Sequence, residues 1–253
     1  MAAGARIPIA FEDAGYDVRI TEGRRCRELP AGGTNIATSR TYSDRKVAKH
    51  KRQSSSLETL LTEVRACQVC SPYLPLGPRP IVRAGANARI LIVGQAPGAR
   101  VHESGVPWND ASGERLRKWL GVDAATFLDE SRFAIIPMGF CYPGRGNGGD
   151  KPPRRECAQL WLDRLLAELP AIQLTLLIGQ YSQRHFLGSE RKPSLTETVK
   201  AWREYAPAFI PLPHPAPRNQ AWFQRHAWFE SDVLPMLRER VGELVTPPLR
   251  RDG

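Results

Sequence analysis

The chain has 253 residues, 42% of them apolar, with 36 Lys and Arg against 26 Asp and Glu for a net charge of +10. That length supports one well-buried domain of about 200 residues plus an appendage, and the apolar content excludes disorder throughout. No apolar run approaches the ~18–20 residues of a membrane span, and MAAGARIPIAFEDAG breaks its apolar residues with charge where a secretory leader would not. A cytoplasmic, nucleoid-associated protein is expected, with nucleic acid the first candidate partner and a membrane surface the second.

Residues 1–55 carry GRRCREL, DRKVAKHKRQ and SSS with few apolar runs. They read as a basic, flexible arm, which either adds attraction to phosphate or is an extension without a role. The folded domain is expected over 56–246, with 247–253 as a tail. LETLLTEVRACQVC places Leu57, Leu60, Leu61 and Val64 at helical spacing. ARILIVGQAPGAR, 88–100, is a strand that runs into a tight polar turn. SGERLRKWLGV, 112–122, reads as a helix capped by Ser112 and ended by Gly121. RFAIIPMGF is a second strand, and RECAQLWLDRLLAELP a helix closed by Pro170. QLTLLIGQYSQRHFLG is a strand, a turn at Gly179-Gln180 and a helix. AFIPLPHPAPRN is a short strand into a loop. WFESDVLPMLRERV is a last helix interrupted by Pro235. Such alternation predicts an α/β fold with a parallel sheet and helices on both faces. Ligands in these folds bind where strand carboxyl ends open into loops.

Four features stand out, two of them, GQAPG and HPAPRN, at such ends. GQAPG, 94–98, lets the backbone bend and turn its N–H groups outward. It is neither a G-x-x-x-x-G-K-[ST] phosphate loop nor a G-x-G-x-x-G turn. HPAPRN, 214–219, holds one histidine between prolines, which leave its direction little freedom. GVPWNDASG, 105–113, presents Trp108 beside Asn109 and Asp110, a flat face on which a planar ring can stack. Cys67 and Cys70 form C-x2-C, while Cys141 and Cys157 stand sixteen apart around a Pro- and Gly-rich loop. In a reducing compartment, four such thiols suit structural zinc or a [4Fe–4S] cluster better than disulfides. Cys26 is left over.

Together these motifs resemble the uracil-DNA glycosylase superfamily, most closely its iron–sulfur, family 4-like branch. The resemblance runs from about Leu57 to Val241 and rests on GQAPG, HPAPRN, the Pro107-Trp108 pair and the order and spacing of the four cysteines. It implies a three-layer α/β/α sandwich around a central, mainly parallel four-stranded sheet. It also implies a structural [4Fe–4S] cluster on Cys67, Cys70, Cys141 and Cys157, and hydrolysis of the N-glycosidic bond of uracil, or a related deaminated base, in DNA. The expected partner is damaged DNA, with no membrane, and the expected state a monomer.

Within that resemblance, His214 is the donor to the departing base, helped by backbone N–H groups around Gly94, Gln95 and Ala96. Trp108 stacks on the base and Asn109 borders it. Two departures stand out. Where the larger family places an aspartate, this chain has Ala96, and Val101 occupies the place of the acid in the iron–sulfur branch. Asp110 and His102 are therefore the expected water-activating residues, ahead of Glu103. Ile136 stands where an asparagine usually reads the uracil edge, which opens the way to hypoxanthine or xanthine. Arg218 occupies the place of the residue that wedges into the duplex, and Asn219 supports its loop. Arg115, Arg117, Lys118 and PGRGNGGDKPPRR are either phosphate contacts or a solvated basic face.

Overall fold

The computed structural model describes residues 56–246, so the arm at 1–55 and the tail at 247–253 lie outside the described residues. The chain enters through helix α1 (Leu57–Arg65), whose N-terminus is capped by the Ser56 hydroxyl accepting from Thr59 N–H. Strand β1 (Ile90–Val93) follows, then helix α2 (Ala99–Ser104), helix α3 (Ala111–Leu120) and strand β2 (Phe133–Ile135). A two-stranded hairpin, β3 (Arg145–Gly146) and β4 (Gly149–Asp150), precedes a helical stretch from Arg155 to Ala167. Strand β5 (Leu174–Ile178), helix Gln180–Leu187, strand β6 (Phe209–Leu212) and a last helix, Leu234–Val245, complete the domain.

The four long strands pair in the order β2-β1-β5-β6, every pair parallel. This is the expected α/β sandwich with a four-stranded parallel sheet. Its alternation follows from sequence parity. Ile90 and Ile92 point into one core with Phe133, Ile135, Leu174, Leu176 and the last helix, while Leu91 and Val93 point into a second core with Ala134, Ile136, Leu177 and α1. Both faces are covered, so each strand can be apolar at every position. The chain leaves β1 for β2 on one side and returns to β5 on the other. Loops diverge at that reversal, and the carboxyl ends of β1, β2 and β6 open onto one crevice.

Three sequence expectations shift. Asp110, not Ser112, caps α3: its Oδ1 accepts from Gly113 N–H at 2.8 Å. A carboxylate at this end also meets the positive pole of the helix dipole. Pro235 stands in the first turn of the last helix directly after the π-helical segment Phe229–Val233, so the helical run is irregular at the expected place but does not stop there. The hairpin β3–β4 was legible only as a Gly-rich loop.

Candidate active site

The site starts from a turn whose first residue has little room for a side chain. A Cβ on Gly94 would lie 3.0 Å from Trp108 Cζ2, so the indole ring rests on the backbone at the end of β1. Met138 and Gly139 N–H groups donate to the carbonyls of Gly94 and Gln95, both at 2.9 Å, and tie the turn to the segment after β2. The N–H groups of Gln95 and Ala96 meet no acceptor among the described residues. They remain available to a ligand.

Trp108 is held in the left-handed region, φ 57°, an uncommon conformation for a bulky side chain. The reason is at Gly113, where a Cβ would fall 1.7 Å from the Trp108 carbonyl oxygen. The first turn of α3 therefore packs directly on the Trp108 backbone, and Arg117 Nη1 donates to the same carbonyl at 3.3 Å. Strain of this kind persists only where the surroundings overdetermine it.

His214 follows β6. Its Nδ1 accepts the N–H of Ala216 at 3.2 Å, and Asn219 Nδ2 donates to its carbonyl at 2.8 Å. The imidazole lies 5.8 Å from the Trp108 ring, centroid to centroid, inclined at 33°. Burial holds the His214 pKa down at about 4, with the Arg218 guanidinium pushing the same way and Asp110 opposing. The ring is therefore neutral near pH 7. With Nδ1 accepting, its proton sits on Nε2.

These parts line one cavity of about 280 Å³. Gly94, Gln95, Ala96, Trp108, Asp110, His214 and Arg218 all reach it. Asn109 is exposed and does not line it. Neither does His102, which is 9% exposed and faces Tyr142, while Arg79 Nη1 donates to its carbonyl at 2.5 Å. Glu103 is exposed, and Val101 forms apolar wall. Asn219 acts one step away, through the His214 backbone. From β2 the wall is Ile135 and Pro137, whereas Ile136 is fully buried beneath the sheet. No amide comes from this strand. Arg115 and Arg117 are engaged internally, by Gln220 and Phe223 and by Trp108 and Phe127 respectively.

Asp150 lines the cavity too, and sequence reasoning passed over it. Its only signal was a carboxylate ending GRGNGGD; the hairpin that carries it to the mouth is a tertiary feature.

Away from the cavity, Cys67 and Cys70 follow α1, Cys141 follows β2 and Cys157 lies in the first turns of the helical stretch from Arg155. All four are free thiols lining one small second cavity. Burial pushes Cys141 up to about 11 and Cys157 up to about 12, with the neighbouring thiols adding to both. Donors nevertheless approach the sulfurs. Phe140 N–H donates to Cys157 Sγ at 3.4 Å, the Arg79 backbone N–H to Cys141, and the Arg154 side chain to Cys70. Among the described residues, no three His, Cys, Asp or Glu side chains form a ready-made site for a metal ion. No described helix is long and apolar enough to cross a membrane.

Among solved structures, the chain is similar to a solution NMR structure of a "putative Uracil DNA glycosylase" from Methanosarcina acetivorans, at 16% identity and a TM-score of 0.35, over 62% of this chain and 93% of that one. A likeness so slight carries no argument, and the fold rests on the sheet order itself. The family comparison is broader. The model of the uracil DNA glycosylase superfamily matches residues 82–238, from the segment before β1 into the last helix and across every cavity-lining motif. With more than half its length matched, the chain belongs to the uracil DNA glycosylase superfamily.

Proposed function

We propose that the cavity receives uracil, or a related deaminated base such as hypoxanthine or xanthine, flipped out of DNA, and that the chain hydrolyses its N-glycosidic bond to leave an abasic site. A base within the stack is out of reach of any protein group, so it must leave the duplex first. One observation carries this reading: His214 is neutral, with Nδ1 already accepting from Ala216 and its single proton on Nε2. As the C1′–N bond lengthens, its electron pair moves onto the base and negative charge grows on a base carbonyl. A fixed, neutral N–H donor stabilises that charge in a site from which water is displaced. The free N–H groups of Gln95 and Ala96 lie at the same cavity and add to it.

Trp108 supplies the stacking face, locked by Gly113 and Gly94. Arg218 stands at the rim, where its guanidinium can fill the vacated stack or hold phosphate. Asp110 adds negative charge near His214 while capping α3. The wall from β2 offers only Ile135 and Pro137, so no side-chain amide from that strand selects uracil. Hypoxanthine and xanthine stay within the expected substrate range. The substrate is DNA, and the enzyme is expected to act as a monomer.

The four thiols suit a [4Fe–4S] cluster, with zinc as the alternative. The donor set fits either soft acceptor, and the N–H and guanidinium donors at three sulfurs are of the kind that stabilise thiolates. Cys67, Cys70, Cys141 and Cys157 would hold the group, which would serve as a structural crosslink among α1, the segment after β2 and the helical stretch from Arg155.

The test uses the full chain on oligonucleotides bearing uracil, hypoxanthine or xanthine, single- and double-stranded, followed by alkali. Strand cleavage at one or more of these bases is expected. His214→Ala should lower its rate by about 10²–10³, the usual cost of one such donor. DNA binding without cleavage of any base would overturn the reading and leave a binding module on this fold.

A further inference from the structure

We infer that Asp150, carried to the cavity mouth by the β3–β4 hairpin, is the carboxylate that accepts the proton of the attacking water. The inference rests on the glycosylase reading above. Hydrolysis leaves a cationic sugar carbon that a water must meet, and that water needs an acceptor for its proton. The first motif cannot supply one, because Ala96 and Val101 are apolar. Among the described residues only two carboxylates line the cavity, Asp110 and Asp150. Asp110 has one oxygen committed to the cap of α3. The Asp150 carboxylate accepts no hydrogen bond among the described residues, and Arg145 and Arg218 act on it through charge alone.

Its position is built rather than incidental. On one side of Asp150, Gln95 Nε2 donates to the Lys151 carbonyl at 3.0 Å and joins the hairpin to the first motif. On the other, Arg218 Nη1 reaches the Gly148 carbonyl at 3.5 Å and joins it to the histidine loop. Gly149, at φ 139°, permits that approach, since a Cβ there would collide with the Arg218 guanidinium. Asp150 Oδ2 stands 3.6 Å from where a Cβ of Gly98 would lie, so the carboxylate faces the turn after β1. The hairpin thus spans the two motifs and hangs one carboxylate between them.

Charge sharpens the point. Arg145 and Arg218 act on Asp150, while Asp110 repels its charge. Burial is the largest influence and raises its pKa, with Asp110 adding to that and the two arginines opposing, a direction that suits a proton acceptor. The residue is still exposed in the free protein and sits where DNA must dock. A carboxylate facing phosphate weakens DNA binding, which is a cost that a catalytic role accounts for.

The step balances simply. The C1′–N bond breaks and its electron pair leaves on the base. The water oxygen bonds C1′, and one water proton passes to Asp150. That proton then goes to solvent or to the departed base anion.

The experiment compares wild type, Asp150→Asn, Asp110→Asn and His214→Ala in single-turnover cleavage and in DNA binding, on whichever base the wild type excises. Asp150→Asn should cut the rate about 100-fold, at the lower end for a lost proton acceptor because the leaving group departs largely by itself. The same variant should bind the oligonucleotide at least as tightly as wild type. A misfolded variant would lose both, and Asp150→Glu, which keeps the carboxylate, should recover part of the rate. Wild-type rate in Asp150→Asn, or an equal loss of rate and binding, would overturn the inference, as would a loss found in Asp110→Asn alone. If the wild type excises no base, the glycosylase reading fails; if it does and only the Asp150→Asn arm disagrees, this inference fails by itself.

Discussion

The neutral state of His214 makes a quantitative prediction about stability. Its pKa falls from the ordinary imidazole value of 6.5 to about 4, with burial the main cause, Arg218 reinforcing it and Asp110 opposing. A histidine depressed in the folded state is protonated first in the unfolded chain. Its contribution is therefore fully present above about pH 6.5 and is lost as pH falls towards 4. A fall from 6.5 to about 4 corresponds to roughly 3 kcal/mol in full, most of it lost by pH 4.5. In His214→Gln that dependence should disappear, leaving only what the other groups contribute. Denaturant unfolding of both proteins at about pH 7.5 and 4.5 measures the difference in slope directly. Wild type should lose roughly 2–3 kcal/mol more than the variant across that interval. Parallel losses, equal within ~0.5 kcal/mol, would refute the buried neutral imidazole, and with it the tautomer on which the proposed chemistry depends.

Two further outcomes follow from the packing. Gly113→Ala places a methyl 1.7 Å from the Trp108 carbonyl, so the loop must move; about 1–3 kcal/mol of stability should be lost, with a fall in cleavage that exceeds the fall in DNA binding because the stacking face is displaced. Replacing Cys157 by alanine should abolish whatever group the four thiols hold, read as loss of iron and acid-labile sulfide if it is a cluster or of zinc if it is an ion. Thermal unfolding should show a lower midpoint if the proposed group links α1 to the Arg155 helical stretch, and an unchanged midpoint would refute that link.

The sheet, the two strand-end motifs and most of the cavity were legible in the linear chain, because each depends on short-range order. An apolar run ending in GQAPG has little choice but to be a strand and a turn, and alternating strands and helices close into a parallel sheet. Trp108 and His214 could be singled out because prolines stiffen the backbone beside them. What the chain alone left undecided are the choices made by distant neighbours. His102 and Asp110 are eight residues apart and equally able to face a ligand on paper. Packing of α2 against Tyr142 turns His102 away, while the cap of α3 brings Asp110 to the cavity wall. Asp150 sits 52 residues after Gly98, which its carboxylate faces, in a Gly-rich stretch with no periodicity to read. Long-range bonds from Gln95 and Arg218 tie its hairpin to the mouth. The protonation of His214 belongs to the same class. Arg218 lies in the same motif as His214, but no local pattern reports the burial that is the main cause, so the state of the imidazole is a property of the assembled fold.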